Sequence, residues 1–149
     1  MTVNLICNHN VATIAASEGI ADAAVRMRDE HVGNLIVVER RGGAVVPIGI
    51  LTDRDIVVGV VAKRVAPDTL TVGDAMTREL LTVREDDGVE FALREMRRRG
   101  VRRAPVVGAR GELLGVVSLD DVIQHLATQL GRLADAIRLE QDAEVQTRP

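Results

Sequence analysis

Aliphatic residues come in short bursts along this chain, and their period changes from one burst to the next. Residues 11 to 14, "VATI", read as a brief strand, and "GIADAAVRMRDE" sets Ile20, Ala24 and Met27 at helical spacing on one side. "NLIVVE" at 34 to 39 reads as a buried strand, "RRGG" as a turn and "VPIGILT" as the returning strand. A helix from residue 53 to about 63 ends the series. The order then returns as "LLTV", "DGVEFALREMRRRG", "APVVG", "ARGE", "LLGVVS" and a helix from 119. "RVAPDTLTVGDAM" joins the halves, with Pro67-Asp68 as a turn and Thr71 opening a short helical turn. Each half is strand, helix, strand, strand, helix, which predicts an α/β fold.

The two series are copies of one unit. Shifted by 69 positions, residues 2 to 38 lie over 71 to 107, and ten of the 37 pairs are identical, among them Thr2/Thr71, Val3/Val72, Gly19/Gly88, Met27/Met96 and Val37/Val106. Past "ERRGGAVVP" the shift falls to 66, and Gly49 meets Gly115, Thr52 meets Ser118 and Asp55 meets Asp121. The chain divides into repeat one (1–66), repeat two (67–130) and a helical extension with a frayed tail (131–149). Neither half closes a core alone, so the two are expected to pack about a pseudo-twofold axis. In the last helix Val122, Leu126, Leu130, Leu133 and Ile137 form an apolar stripe that outruns one small repeat. A second copy of the chain is the simplest cover for it, which predicts a homodimer.

Composition narrows the function. Apolar residues are 46% of the chain and Phe91 is the only aromatic, so a real but aliphatic core is expected. A net charge of −3 gives no basic field, and the lack of aromatics gives no stacking platform, so nucleic acid is not an expected partner. Apolar runs such as "IVVGVVA" are too short for a bilayer, and "MTVNLICNHN" lacks the character of a signal peptide. With Cys7 as the only cysteine, the cytoplasm is the expected setting and no membrane partner is expected. Cys7 and His9 are two soft ligands without a partner cluster, short of a zinc site. His9, His31 and His125 show no nucleophile–base arrangement, and Asp86-Asp87 and Asp120-Asp121 sit at helix starts where carboxylates complement the dipole. No catalytic residue and no catalytic cofactor are expected.

The doubled phrase, "GILTDRD" and "GVVSLDD", has two compatible readings. A hydroxyl followed three residues later by a carboxylate is a capping box at a helix start. The same hydroxyl, exposed backbone N–H groups and carboxylate also suit a phosphate and a ribose diol. "GVRRAPVVG" adds Arg102 and Arg103 ahead of a buried strand, able to neutralise a phosphate or simply to be solvated.

Together the doubled unit, "GILTDRD", "GVVSLDD" and "VRRAPVV" resemble a pair of cystathionine-β-synthase-type (CBS) domains, a stand-alone Bateman module, over roughly residues 2 to 128. The resemblance implies two tandem βαββα repeats and an adenine nucleotide (AMP, ADP or ATP) as regulatory ligand in the cleft between them, with NAD or S-adenosylmethionine as the family's other options. It implies that Thr52 and Asp55 hold ribose and phosphate, Leu80 and Leu81 flank adenine, Arg102 and Arg103 meet phosphate, and Val116 lies below the base. A second site would join Ser118 and Asp121 to Val11, Ala12, Gly33, Asn34 and Ile50. Gly33 and Asn34 stand where repeat two has its arginines, so this second site lacks a basic pair of its own and suits an adenosine-like ligand or no occupant. An unidentified downstream protein would read the ligand-dependent shape. The competing expectation is an interaction module with vestigial pockets.

Overall fold

The computed structural model describes residues 1–147. Its first half holds β1 (Thr13–Ala15), α1 (Ile20–Asp29), β2 (Asn34–Arg41), β3 (Ala44–Thr52) and α2 (Asp53–Ile56). A short helix α3 (Val72–Ala75) follows; the second half holds β4 (Val83–Arg84), α4 (Val89–Arg99), β5 (Arg103–Val107), β6 (Leu113–Ser118) and α5 (Leu119–Thr147). Two three-stranded sheets result, ordered β1-β2-β3 and β4-β5-β6, each with one parallel and one antiparallel pair. The expected α/β repeat pair and its long C-terminal helix are both present.

Local sequence accounts for these elements. Gly42 and Gly43 take φ of 54° and 81°, the left-handed geometry of a two-residue hairpin loop between Arg41 and Ala44. Helix α4 ends at Gly100 with φ of 65°, and Arg97, Arg98 and Arg99 face the negative end of its dipole. Helix α1 buries Ile20, Ala23 and Met27; Ala24, expected inside, lies one helical step round and is exposed. After α2 the helix widens into a π-turn over Val57–Val61, where β-branched valines flank Gly59 and the Ala62 N–H donates to the Val57 carbonyl at 2.8 Å. The strand expected at 11 to 14 pairs only from Thr13, and the one at 80 to 83 only from Val83. Helix α5 continues through Thr147; residues 148 and 149 of the expected frayed tail lie outside the described residues.

The packing crosses the sequence repeat. Val72 and Met76, from the connector, complete the core of Ile14, Ile20, Leu35, Val37 and Leu51. Val3, from the chain's start, completes that of Val83, Met96, Ala104, Val106 and Val117. The bridges are reciprocal: Thr2 pairs with Gly88 and Thr71 with Gly19, Asn8 with Val116 and Thr77 with Ile50. Shifting both members of one bridge by the repeat offset gives the other bridge, so a pseudo-twofold axis relates the halves. Each half thus seats the segment that leads into the other.

Candidate functional site

Two clefts lie where the halves meet, each built from both. The larger, of about 670 Å³, sets Thr52 and Asp55 of the first half against Leu80, Leu81, Arg102 and Arg103 of the second. The smaller, of about 190 Å³, sets Ser118 and Asp121 against Val11, Ala12 and Asn34. Residues 11–12 and 80–81, which precede β1 and β4, help wall the two clefts.

Three residues exchange places relative to expectation. Ile50 and Gly33 line the Asp55 cleft, and Val116 lines the Asp121 cleft. Side chains two apart on a strand share a face, so Ile50 must follow Thr52 along β3 and Val116 must follow Ser118 along β6. Gly33 is held beside the start of α2 because its carbonyl accepts the Asp53 N–H at 3.0 Å. Arg103 lines both clefts, so the Asp121 cleft, though without a basic pair of its own, shares one guanidinium with the other.

Both hydroxyl–carboxylate pairs are formed capping boxes. The Thr52 N–H donates to Asp55 Oδ2 at 2.8 Å, and the Asp55 N–H donates to Thr52 Oγ1 at 3.1 Å. In the second copy the Ser118 N–H donates to Asp121 Oδ2 at 2.8 Å, the Ser118 hydroxyl donates to the same oxygen at 2.6 Å, and the Asp121 N–H returns a bond to Ser118 Oγ at 3.2 Å. One oxygen of each carboxylate is committed to its cap, leaving Oδ1 to accept from a ligand. The cap therefore fixes each carboxylate in place without using its full capacity to accept hydrogen bonds.

Arg102 is exposed and its Nη2 donates to Asp120 Oδ1 at 3.4 Å, an ion pair worth little in water. Arg103 is half-buried and makes no side-chain hydrogen bond or ion pair among the described residues.

Several lining residues carried no sequence signal: Thr77 and Glu79 in the larger cleft, Asn8 and Asn10 in the smaller. Gly49 and Gly115 were read only as parts of the doubled phrase. A Cβ on Gly49 would stand 2.8 Å from the Thr77 carbonyl oxygen, and one on Gly115 would stand 2.9 Å from that of Asn8. Both glycines are required by the close approach of the exchanged segments. Cys7 Sγ lies 3.7 Å from His9 Nε2, whose ring also meets the Leu114 carbonyl through Nδ1 at 3.0 Å. Among the described residues no three His, Cys, Asp or Glu side chains gather as a metal-binding group. No described helix is long and apolar enough to cross a membrane.

The CBS domain model matches residues 3–61 and 72–128; the chain belongs to the CBS domain family and carries two copies. An uncharacterised protein of Methanopyrus kandleri is 33% identical over 124 residues, 83% of this chain but 62% of that one. Hypoxic response protein 1 of Mycobacterium tuberculosis is 31% identical over 125 residues, covering 84% of this chain and 85% of its own. The crystal structure of Hypoxic Response Protein I, with two coordinated zinc ions, matches at a TM-score of 0.71 and 30% identity, covering 84% of this chain and 98% of that one. A CBS domain protein of Pyrobaculum aerophilum complexed with AMP matches at a TM-score of 0.73 and 25% identity, covering 86% and 99%.

Proposed function

We propose that this chain is a non-catalytic regulatory module that binds an adenine nucleotide, AMP, ADP or ATP, in the Asp55 cleft. One observation carries the reading: a single cleft joins a pre-oriented carboxylate and hydroxyl from one repeat to an aliphatic wall and two guanidinium groups from the other. Its volume of about 670 Å³ lies within the range of small-molecule sites. Asp55 Oδ1 accepts from the ribose hydroxyls, Ile50, Leu80 and Leu81 pack the adenine, and Arg102 and Arg103 meet the phosphate. The AMP complex of the Pyrobaculum aerophilum protein supports this ligand class. The Asp121 cleft, at about 190 Å³, takes the smaller demand of an adenosine-like ligand.

The output runs through the far end of the molecule. Ile123, Leu126, Leu130, Leu133 and Ile137 are exposed on α5 at spacings of three and four. We assign this stripe to a cytoplasmic homodimer whose geometry a downstream protein reads. Calorimetric titration of the full chain with AMP, ADP, ATP, NAD and S-adenosylmethionine tests the ligand. An adenine nucleotide is expected to bind well below millimolar, and failure of all five to bind below about 1 mM (roughly −4 kcal/mol) refutes the reading.

A further inference from the structure

Arg103 opens β5 directly opposite Ser118, which places it beside the second capping box. It also forms part of the wall that Arg102, Leu80 and Leu81 present to Asp55. No other cationic side chain lines the Asp121 cleft among the described residues; Asn8, Asn10 and Asn34 are neutral amides. Asn34 stands in the first repeat where Arg103 stands in the second. The near-symmetric pair of clefts therefore has an asymmetric charge supply, with one half-buried, unpaired guanidinium lining both.

Resting on the reading that these clefts take adenine nucleotides, we propose that Arg103 couples them antagonistically: a phosphorylated ligand in one cleft weakens a phosphorylated ligand in the other. A guanidinium carries a single positive charge, so one that closes its planar fork on a phosphate in one cleft has that charge compensated there. A phosphomonoester carries a charge of about −1.5 to −2 at neutral pH. A second such group meets a cation already engaged and feels the first one's charge as well; the Asp121 cleft loses its one lining cation, whereas the Asp55 cleft keeps Arg54 and Arg102. Adenosine makes no claim on the fork, so it pairs freely with AMP. The coupling is reciprocal by thermodynamic linkage. The module then responds to phosphorylated and unphosphorylated adenosine species as a ratio rather than to either alone.

The test is calorimetry on the full chain with AMP and adenosine as probes. Asp55→Ala leaves the Asp121 cleft to be measured alone, and Asp121→Ala leaves the Asp55 cleft; Asn replacements, which keep an acceptor for the cap, serve if an Ala variant melts early. The AMP affinity of the Asp121 cleft in Asp55→Ala is expected to be about tenfold or more tighter than the second AMP step of the wild type, the worth of one charge-assisted hydrogen bond. With AMP already in the Asp55 cleft, adenosine is expected to bind the other cleft unchanged. Arg103→Gln should abolish the difference between alone and second. Wild-type AMP steps equal to those of the two single-cleft variants overturn the coupling alone, as does an Asp55→Ala protein that binds no AMP. If neither AMP nor adenosine binds the wild type at all, the adenine reading itself has failed, an outcome distinct from independent sites.

Discussion

Replacing Gly49 by Ala probes how the larger cleft is held open. The added methyl would lie 2.8 Å from the Thr77 carbonyl oxygen and 2.9 Å from Met76 Sδ. Met76 can rotate, whereas the carbonyl cannot, because the Ile50 N–H donates to it at 3.0 Å and the Thr77 N–H donates back to Ile50 at 2.9 Å. Overpacking at a buried site costs about 1–3 kcal/mol, and loosening that pair of backbone bonds adds about 1 kcal/mol. A total of about 2–4 kcal/mol lowers Tm by roughly 4–16 °C in a chain of this size. Far-UV circular dichroism measures it, since the chain has no Trp or Tyr for fluorescence. AMP binding is expected to weaken in parallel, because Thr77, Leu80 and Leu81 line the cleft on the displaced segment. Gly59→Ala is the control: it meets nothing within 4 Å and should leave Tm unchanged or slightly raised. A Gly49→Ala protein that melts with the wild type would show that the connector yields without cost, and the close approach would not be what selects glycine there.

Other outcomes follow from the same geometry. Asp55→Ala should weaken AMP about 10- to 100-fold, with a parallel melt to separate the roughly 1 kcal/mol lost from the cap; unchanged affinity removes Asp55 from the site. Burial pushes the Cys7 thiol pKa up, against a backbone hydrogen bond that lowers it, and the Asp121 charge pushes it further up. Native protein should therefore be alkylated more slowly than urea-unfolded protein at mildly alkaline pH, and equal rates would contradict the burial. With the folded pKa above the unfolded one, the thiol's stabilisation is complete below the free-thiol pKa and is lost as pH rises through the folded value, a decline that a Cys7→Ser variant should lack. A chain ending at Gln129 should be monomeric by light scattering where the full chain is dimeric; a truncated dimer would move the interface onto the repeats.

Element order was legible because each segment keeps one clear period and the second copy repeats it. Gly42-Gly43 marked its turn because the backbone needs left-handed residues there. The cleft assignment was half legible. Thr52 and Asp55 do face Arg102 and Arg103, but Ile50 and Val116 were placed in each other's clefts although strand alternation alone fixes them. The shared position of Arg103 had no local signal, since it depends on how two separate sheets meet. Gly49 and Gly115 were opaque for a similar reason: the atoms that demand glycine come from segments far off in the chain.

The exchanged leading segments also bear on how the chain reaches this fold. Residues 1–8 are synthesised before the first half, yet the seat for Val3 draws on β4, α4, β5, β6 and Val122 of α5, all made after that half. The first half can close once Val72 and Met76 have been synthesised, whereas the second must reach back to Thr2 across the finished first half. Closures of that span slow folding and leave apolar surface open while they wait. A gene cut at residue 66 would give two fragments, each lacking the segment that plugs it, and each able to borrow that plug only from another molecule. The intact chain performs both halves of a domain swap with itself.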